Sequence, residues 1–304
     1  MRVVNRREFI AFAAGVPFAL RASYGGPALE ALVTCDSQSR LAVVDLLTFR
    51  VTHSIATLPD PRSIERVGDV AVLCHTAVGA ISIVGRDGVR HVLRGFVEPR
   101  YTAAHPDGRH AFVTDSGRSG VVAIDVVRGR VLARTSLPGW ARHITIDAIG
   151  RRLWVALGSA SEHVAVVDTR TMRRTSLVTP GFLAHDVGRA PDGRLWVTSG
   201  AVRRLAVAGI DRHAGAAPQH VTFDRTRAFV TSGDDGTLQV LDLSGRVLRT
   251  TAIPIGSYNV QYGARRLITP SLEHGTLAVL DEHGGPFATV HVADSCHDAC
   301  FRPV

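Results

Sequence analysis

The chain has 304 residues and a formal charge of +8, and all 35 of its basic residues are arginine. Without lysine, chemistry that needs an amine side chain is excluded: a P-loop lysine, a Schiff base, a kinase-type phosphate lysine. Four cysteines with no Cys-x-x-Cys pair also exclude thiolate zinc motifs, thioredoxin-like redox and c-type haem attachment.

The amino terminus reads as an address. In residues 1–22 a basic region precedes an apolar stretch from Phe9 to Leu20, shorter than the ~20 residues a membrane span needs. That is the layout of an export signal. Asn5-Arg6-Arg7-Glu8-Phe9-Ile10 further resembles the twin-arginine signal, whose pathway carries folded proteins, often with a cofactor already loaded. The alternative is a plain basic terminus before an apolar strand. The expectation is a periplasmic or secreted protein with residues 1–22 as signal and 23–28 as linker. Removing four arginines and one glutamate with the signal leaves +5, and the remaining arginines are evenly spread, which argues against nucleic acid as a partner. No transmembrane segment is expected.

The rest of the chain repeats. Pro99–Asp115, Leu183–Ser199 and Pro218–Ser232 each read as a short strand, a polar turn with Asp-Gly or an equivalent, and a β-branched or aromatic second strand. A third strand follows, usually closed by Asp (Asp45, Asp125, Asp168, Asp242, Asp281), and then a fourth such as Arg130–Leu137. The closing Asp is read as a turn acceptor rather than a catalytic acid. Aligning the first strands sets Ser63, Tyr101, His143, His185, His220, Asn259 and His297 in one column, 35 to 42 residues apart. Four strands per such unit make a propeller blade, and seven first strands make seven blades. The last first strand, Cys296–Phe301, has nothing after it, whereas residues 29–58 supply strands two to four alone. The fold expected for 29–304 is therefore all-β, a seven-bladed β-propeller whose carboxyl-terminal strand closes the amino-terminal blade and removes the exposed edge.

Phe112-Val113-Thr114, Phe229-Val230-Thr231 and the Pro-Asp-Gly-Arg turns resemble the YVTN-type propeller repeats of YncE-like exported proteins, over essentially all of residues 29–304. Blade five, with Pro191-Asp-Gly-Arg-Leu-Trp-Val-Thr, is similar to antibiotic-lyase propellers over that unit. The resemblance implies the fold and leaves the function open among binding proteins, lactonases and lyases.

Repetition round an axis turns alignment columns into rings at the mouth of the channel. Four imidazoles, His143, His185, His220 and His297, form a candidate set for a transition metal such as copper, zinc, iron or nickel; the alternative is hydrogen bonding between blades. One position earlier, Arg62, Arg100 and Arg142 make a guanidinium array for carboxylate or phosphate. Tyr101 and Asn259 complete the candidate ligand-binding set, Asp115 is expected to pair with Arg100, and Glu65, Asp186 and Asp298 are nearby acids. Arg109, Arg151, Arg194, Arg227 and Arg265 should face solvent on the opposite side. Two functions fit. One is a ligand-binding or scaffolding propeller that receives an anionic small molecule or a protein partner on its Arg/His-lined top face. The other is a metal-dependent enzyme, lactonase- or lyase-like or a copper protein, built on the histidines. Lactonase-like propellers hold calcium with acidic and amide oxygens, and here Asn259 stands almost alone in the ring.

The cysteines carry one more expectation. Transferring the blade-three register, with Arg100 opposite Asp115, to the closing blade sets Cys296 opposite Cys35, so a Cys35–Cys296 disulfide is expected, the alternative being that Cys35 and Cys74 join the histidines as soft metal ligands. Cys300 should then face Ala31, and Cys74 should lie one blade away.

Overall fold

The computed structural model describes residues 29–158 and 161–302. The expected export signal and the 23–28 linker lie outside these residues. Seven four-stranded antiparallel sheets follow one another round a ring. Blade two is Pro61–Val67, Val70–His75, Ala80–Gly85 and Gly88–Arg94, and blade three is Pro99–Ala104, His110–Asp115, Gly120–Asp125 and Arg130–Ser136. Blades four to seven begin with Ile144–Ile146, Asp186–Arg189, Val221–Phe223 and Gln261–Gly263. Blade one takes its innermost strand, Ala299–Phe301, from the carboxyl end and its other three from Glu30–Cys35, Arg40–Asp45 and Arg50–Ala56. The first strands touch their neighbours all the way round, Ala299–Phe301 against Pro61–Val67 included, so the ring is closed.

The sequence explains the layering. Second and third strands are buried on both faces by the blades beside them, so they read as unbroken apolar runs: Val70–His75 and Ala80–Gly85 are buried throughout. The fourth strand lies at the rim, and Arg130–Ser136 accordingly alternates exposed and half-buried residues. Every blade interface carries its own apolar cluster. Leu32, Leu41 and Val43 meet Ile64 and Leu73 between blades one and two, and Ile268, Leu277 and Val279 meet Ala31, Val33 and Val44 where the ring closes. The core is thus seven wedges rather than one mass.

The five closing aspartates behave as turn acceptors. Each takes a backbone amide of the turn that follows, from Leu47, Val127, Thr171, Ser244 and His283 respectively, at 2.7–3.1 Å. The threonines of the Val-Thr motif have a structural task as well. The Thr198 hydroxyl donates to the Gln219 carbonyl of the next blade at 2.6 Å, Thr231 to that of Tyr258, and Thr34 to that of Arg62. Of the arginines on the opposite face, Arg151, Arg194 and Arg265 are exposed as expected. Arg109 and Arg227 are held in ion pairs with Asp125 and Asp224 at 2.8 and 2.6 Å.

The closing register departs from expectation by one residue: Cys300 pairs with Leu32, and Phe301 with Ala31. In blade three itself a bulge between Pro99 and Thr102 sets Asp115 opposite Pro99, not Arg100. Cys35 and Cys296 still meet. The expected Cys35–Cys296 disulfide is not formed: both are fully buried free thiols, and the Cys296 thiol donates to Cys35, which favours ionising Cys35 first.

Candidate metal centre in the central channel

The strand pairing fixes which side chains share a level of the channel. Asp186 lies opposite Thr198, and Thr231 donates its amide to the His220 carbonyl, as Thr34 does to Asp298 and Ala156 to His143. The ring at this level is therefore Ser63, Tyr101, His143, Asp186, His220, Asn259 and Asp298. All seven line one cavity of about 220 Å³. His185 and His297, expected in this ring, belong one residue earlier, on the level of Arg62, Arg100, Arg142, Gln219 and Tyr258. Counting back four residues from the start of each first hairpin turn (His105, Asp147, Ala190, Asp224) reaches Tyr101, His143, Asp186 and His220. Aligning imidazole on imidazole misplaces two blades.

Five ring members sew their blade to the next. Ser63 donates to the Arg100 carbonyl, His143 Nδ1 lies 2.6 Å from that of His185, and Asn259 Nδ2 donates to that of His297 at 2.8 Å. Asp186 and Asp298 form twin clasps. Each carboxylate accepts the amide of the residue after it, Val187 or Ala299, and one amide of the following blade, Val221 or Ile64, at 2.7–3.0 Å. These acids are bound to backbone and are not free for acid–base work, and burial raises both, Asp186 to about 7. Glu65, deeper in the channel and also pushed up to about 7 by burial, accepts from Gln261 at 3.1 Å.

Tyr101 and His220 stand apart. Tyr101 stacks on His143 with ring centroids 3.7 Å apart, and burial lifts its hydroxyl to about 12. His220 Nε2 comes 2.6 Å from His143 Nε2. His185 reaches in from the level above, so that His143, His185 and His220 each offer a nitrogen within 4.8 Å of the others. His297 is not a member of this group. Burial holds all three imidazoles below the usual histidine range, with the nearby Arg142 charge lowering each further, so they are neutral at pH 7. Two neighbours orient them as neighbours orient metal-bound histidines. The His185 carbonyl takes the Nδ1–H of His143, leaving its Nε2 lone pair toward the cluster, and Asp186 Oδ2 lies 3.4 Å from His220 Nδ1. A tetrahedral zinc with Zn–N near 2.0 Å would place its nitrogens about 3.3 Å apart. His143 and His220 must therefore part by about 0.7 Å to admit an ion, a small side-chain adjustment.

The three rim arginines differ. Arg100 is neutralised by Glu98 at 2.5 Å, not by Asp115, which instead accepts the Val97 and Glu98 amides. Arg62 lies 3.9 Å from Asp60. Arg142 makes no ion pair among the described residues. Trp140 lies between Arg100 and Arg142, whose guanidinium carbons are 4.6 and 5.4 Å from its ring, and donates to Glu98.

No family model matches the chain, and no curated protein matches it. Solved structures do match in fold. A hydrazine synthase chain from Kuenenia stuttgartiensis is 15% identical with a TM-score of 0.72, over 82% of this chain and 91% of that one. A functionally unknown protein from Desulfotomaculum acetoxidans is 13% identical with a TM-score of 0.73, over 90% and 98%. Dihydro-heme d1 dehydrogenase NirN, solved in complex with DHE, is 10% identical with a TM-score of 0.65, over 90% and 75%. Such likeness establishes that this chain is a seven-bladed β-propeller with enzymes among its structural neighbours.

Proposed function

We propose that this is an exported, YVTN-type propeller that binds a borderline divalent metal ion, of the zinc or copper class, through His143, His185 and His220. The observation that carries the reading is the convergence of three neutral imidazole nitrogens within 4.8 Å, one of them oriented by a backbone carbonyl. Three nitrogens leave a coordination position open, which is what a metal needs to take a further ligand or to polarise one. The rest of the ligand-binding set is Tyr101 in the same ring and Arg62, Arg100 and Arg142 on the rim above; of these Arg142, which lacks an ion pair among the described residues, most favours an anionic small molecule. Asn259 donates from its Nδ2 to the His297 carbonyl of the next blade and lines the same cavity with its Oδ1 unpaired. Export is supported by the Asn5–Ile10 motif.

The test is equilibrium dialysis against Zn(II) and Cu(II) followed by metal analysis. The expected result is one ion per chain in the parent protein and none in His143→Ala/His220→Ala, with unchanged near-ultraviolet circular dichroism. Equal metal content in the two proteins would overturn the reading.

A further inference from the structure

A second, smaller cavity sits on the rim side of the histidine cluster. It measures about 80 Å³ and is lined by Arg142, His185 and Ser199, with the small residues Gly158, Ala184 and Ala201 making room. It shares His185 with the cluster below, and it holds the one rim arginine that lacks an ion partner among the described residues. The Arg142 Nε is buried with no hydrogen-bond acceptor, and the His185 imidazole takes no hydrogen bond among these residues. A buried donor without a partner costs about 1–3 kcal/mol, more when charged.

A metal on the histidines makes the imbalance larger, and the anion site rests on that metal reading. A divalent ion on three neutral imidazoles beside a guanidinium gathers three positive charges in an enclosed channel, where charges interact several-fold more strongly than in water. An anion on the open coordination position and against the guanidinium relieves both. We propose that this cavity is an anion site, taking a small carboxylate or oxyanion that bridges Arg142 and the metal held by the histidines. A cavity of about 80 Å³ has room for a small anion such as acetate, nitrite or hydrogencarbonate. Arg62 and Arg100 each have an acidic partner and do not line this cavity, so they do not compete for it.

Metal and anion then bind with positive coupling, and by linkage each tightens the other, typically 5- to 150-fold. The experiment is a Zn(II) titration against a competing chelator in low-chloride buffer, with and without sodium acetate, and with nitrite, hydrogencarbonate and benzoate as further arms. Acetate is expected to raise the Zn(II) affinity of the parent protein ~10-fold, and the bulkier benzoate by less. Arg142→Gln should bind Zn(II) more tightly than the parent when acetate is absent, because a positive charge has gone, and respond less than twofold to acetate. Arg142→Lys, which keeps the charge without the fork, should retain part of the response and guards against a folding defect in the first variant. An acetate-independent affinity in a parent protein that still binds zinc would overturn the anion site and leave the metal reading standing. So would a full acetate response in Arg142→Gln. Zinc binding that survives His143→Ala/His220→Ala overturns both.

Discussion

The two arcs of the channel ring use the same backbone positions for different ends. From blade seven through blade two, Asn259 Nδ2, Asp298 and Ser63 bond to the next blade, with Asn259 Oδ1 left unpaired, and the terminal strand is pinned there by Asp298, Thr34 and the Cys35–Cys296 contact. From blade three through blade six, Tyr101, His143 and His220 lie ring against ring, and two of the three keep atoms free of the neighbouring blade. A propeller needs some of its ring positions to close the circle and leaves the others open to chemistry. Hydrogen-bond accounting, rather than residue type, separates the two groups, since an aspartate clasps in either arc.

Oxidation of the closing arc should have the largest effect. Treatment with oxidised glutathione, which accepts the two electrons as two thiols become one disulfide, should join Cys35 to Cys296. That closes a loop of ~260 residues, for which the chain-entropy estimate is about 5 kcal/mol. Urea unfolding of the oxidised protein should show much of that gain, with zinc affinity unchanged. Cys74, whose thiol burial pushes up to about 11, should stay reduced. Peptide mapping without reduction checks the pairing, and a Cys35-free map after oxidation would remove the staple from the closing arc.

The twin clasps offer a sharper contrast. Asp186→Ala and Asp298→Ala each strand two backbone amides, at about 1–3 kcal/mol apiece, so each should cost about 2–6 kcal/mol in denaturant unfolding. Only Asp186 also stands beside His220, at 3.4 Å. Its loss should therefore weaken zinc binding about 10- to 100-fold, whereas Asp298→Ala should leave zinc affinity as it was. Equal zinc losses in both would erase the distinction between the arcs.

Glu65 adds a pH dependence. Its folded value of about 7 lies above the unfolded value of 4.5, because burial in the channel favours the protonated form. Below pH 4.5 both states hold the proton. Between 4.5 and 7 only the folded state keeps it, so stability falls as pH rises, by up to about 3 kcal/mol, and then levels off. Some of its surface faces the water of the cavity, which makes that figure an upper bound. Glu65→Gln should make this part of the stability–pH curve shallower, the remaining slope belonging to Asp186 and Asp298, and an unchanged slope would show that the carboxyl is solvated.

Much of the architecture was legible because repetition is a strong signal. Seven units, the Asp that closes five of the third strands and the shared terminal blade all follow from spacing and turn chemistry. The channel ring was less legible. Residue identity suggested aligning His185 and His297 with the other imidazoles, but the register is set by where each hairpin turns and by which threonine the first strand meets. Blade five pairs its second and third strands over four residues where blade three pairs six, so a sequence alignment slides there with no visible gap. The bulge that moves Asp115 away from Arg100 leaves no mark in composition either. Partner choice at the rim was equally hidden: Glu98, from the turn before blade three, neutralises Arg100.

His297 should show the smallest effect. It resembles a fourth ligand in the sequence, yet it lies on the level above the ring in the closing arc, and its Nδ1 is buried with no hydrogen-bond partner. Burial, together with the Arg62 charge, holds it near 3, so it is neutral at pH 7. Its backbone carbonyl, which accepts from Asn259, survives substitution. His297→Ala thus removes packing but also a stranded polar atom, and the two oppose each other in stability. Zinc affinity in this variant should stay within a factor of two of the parent, read in the same chelator competition that registers the loss in His143→Ala/His220→Ala. A tenfold loss would mean that the closing arc also contributes a ligand, and that the division between the arcs is not the one drawn by the hydrogen bonds.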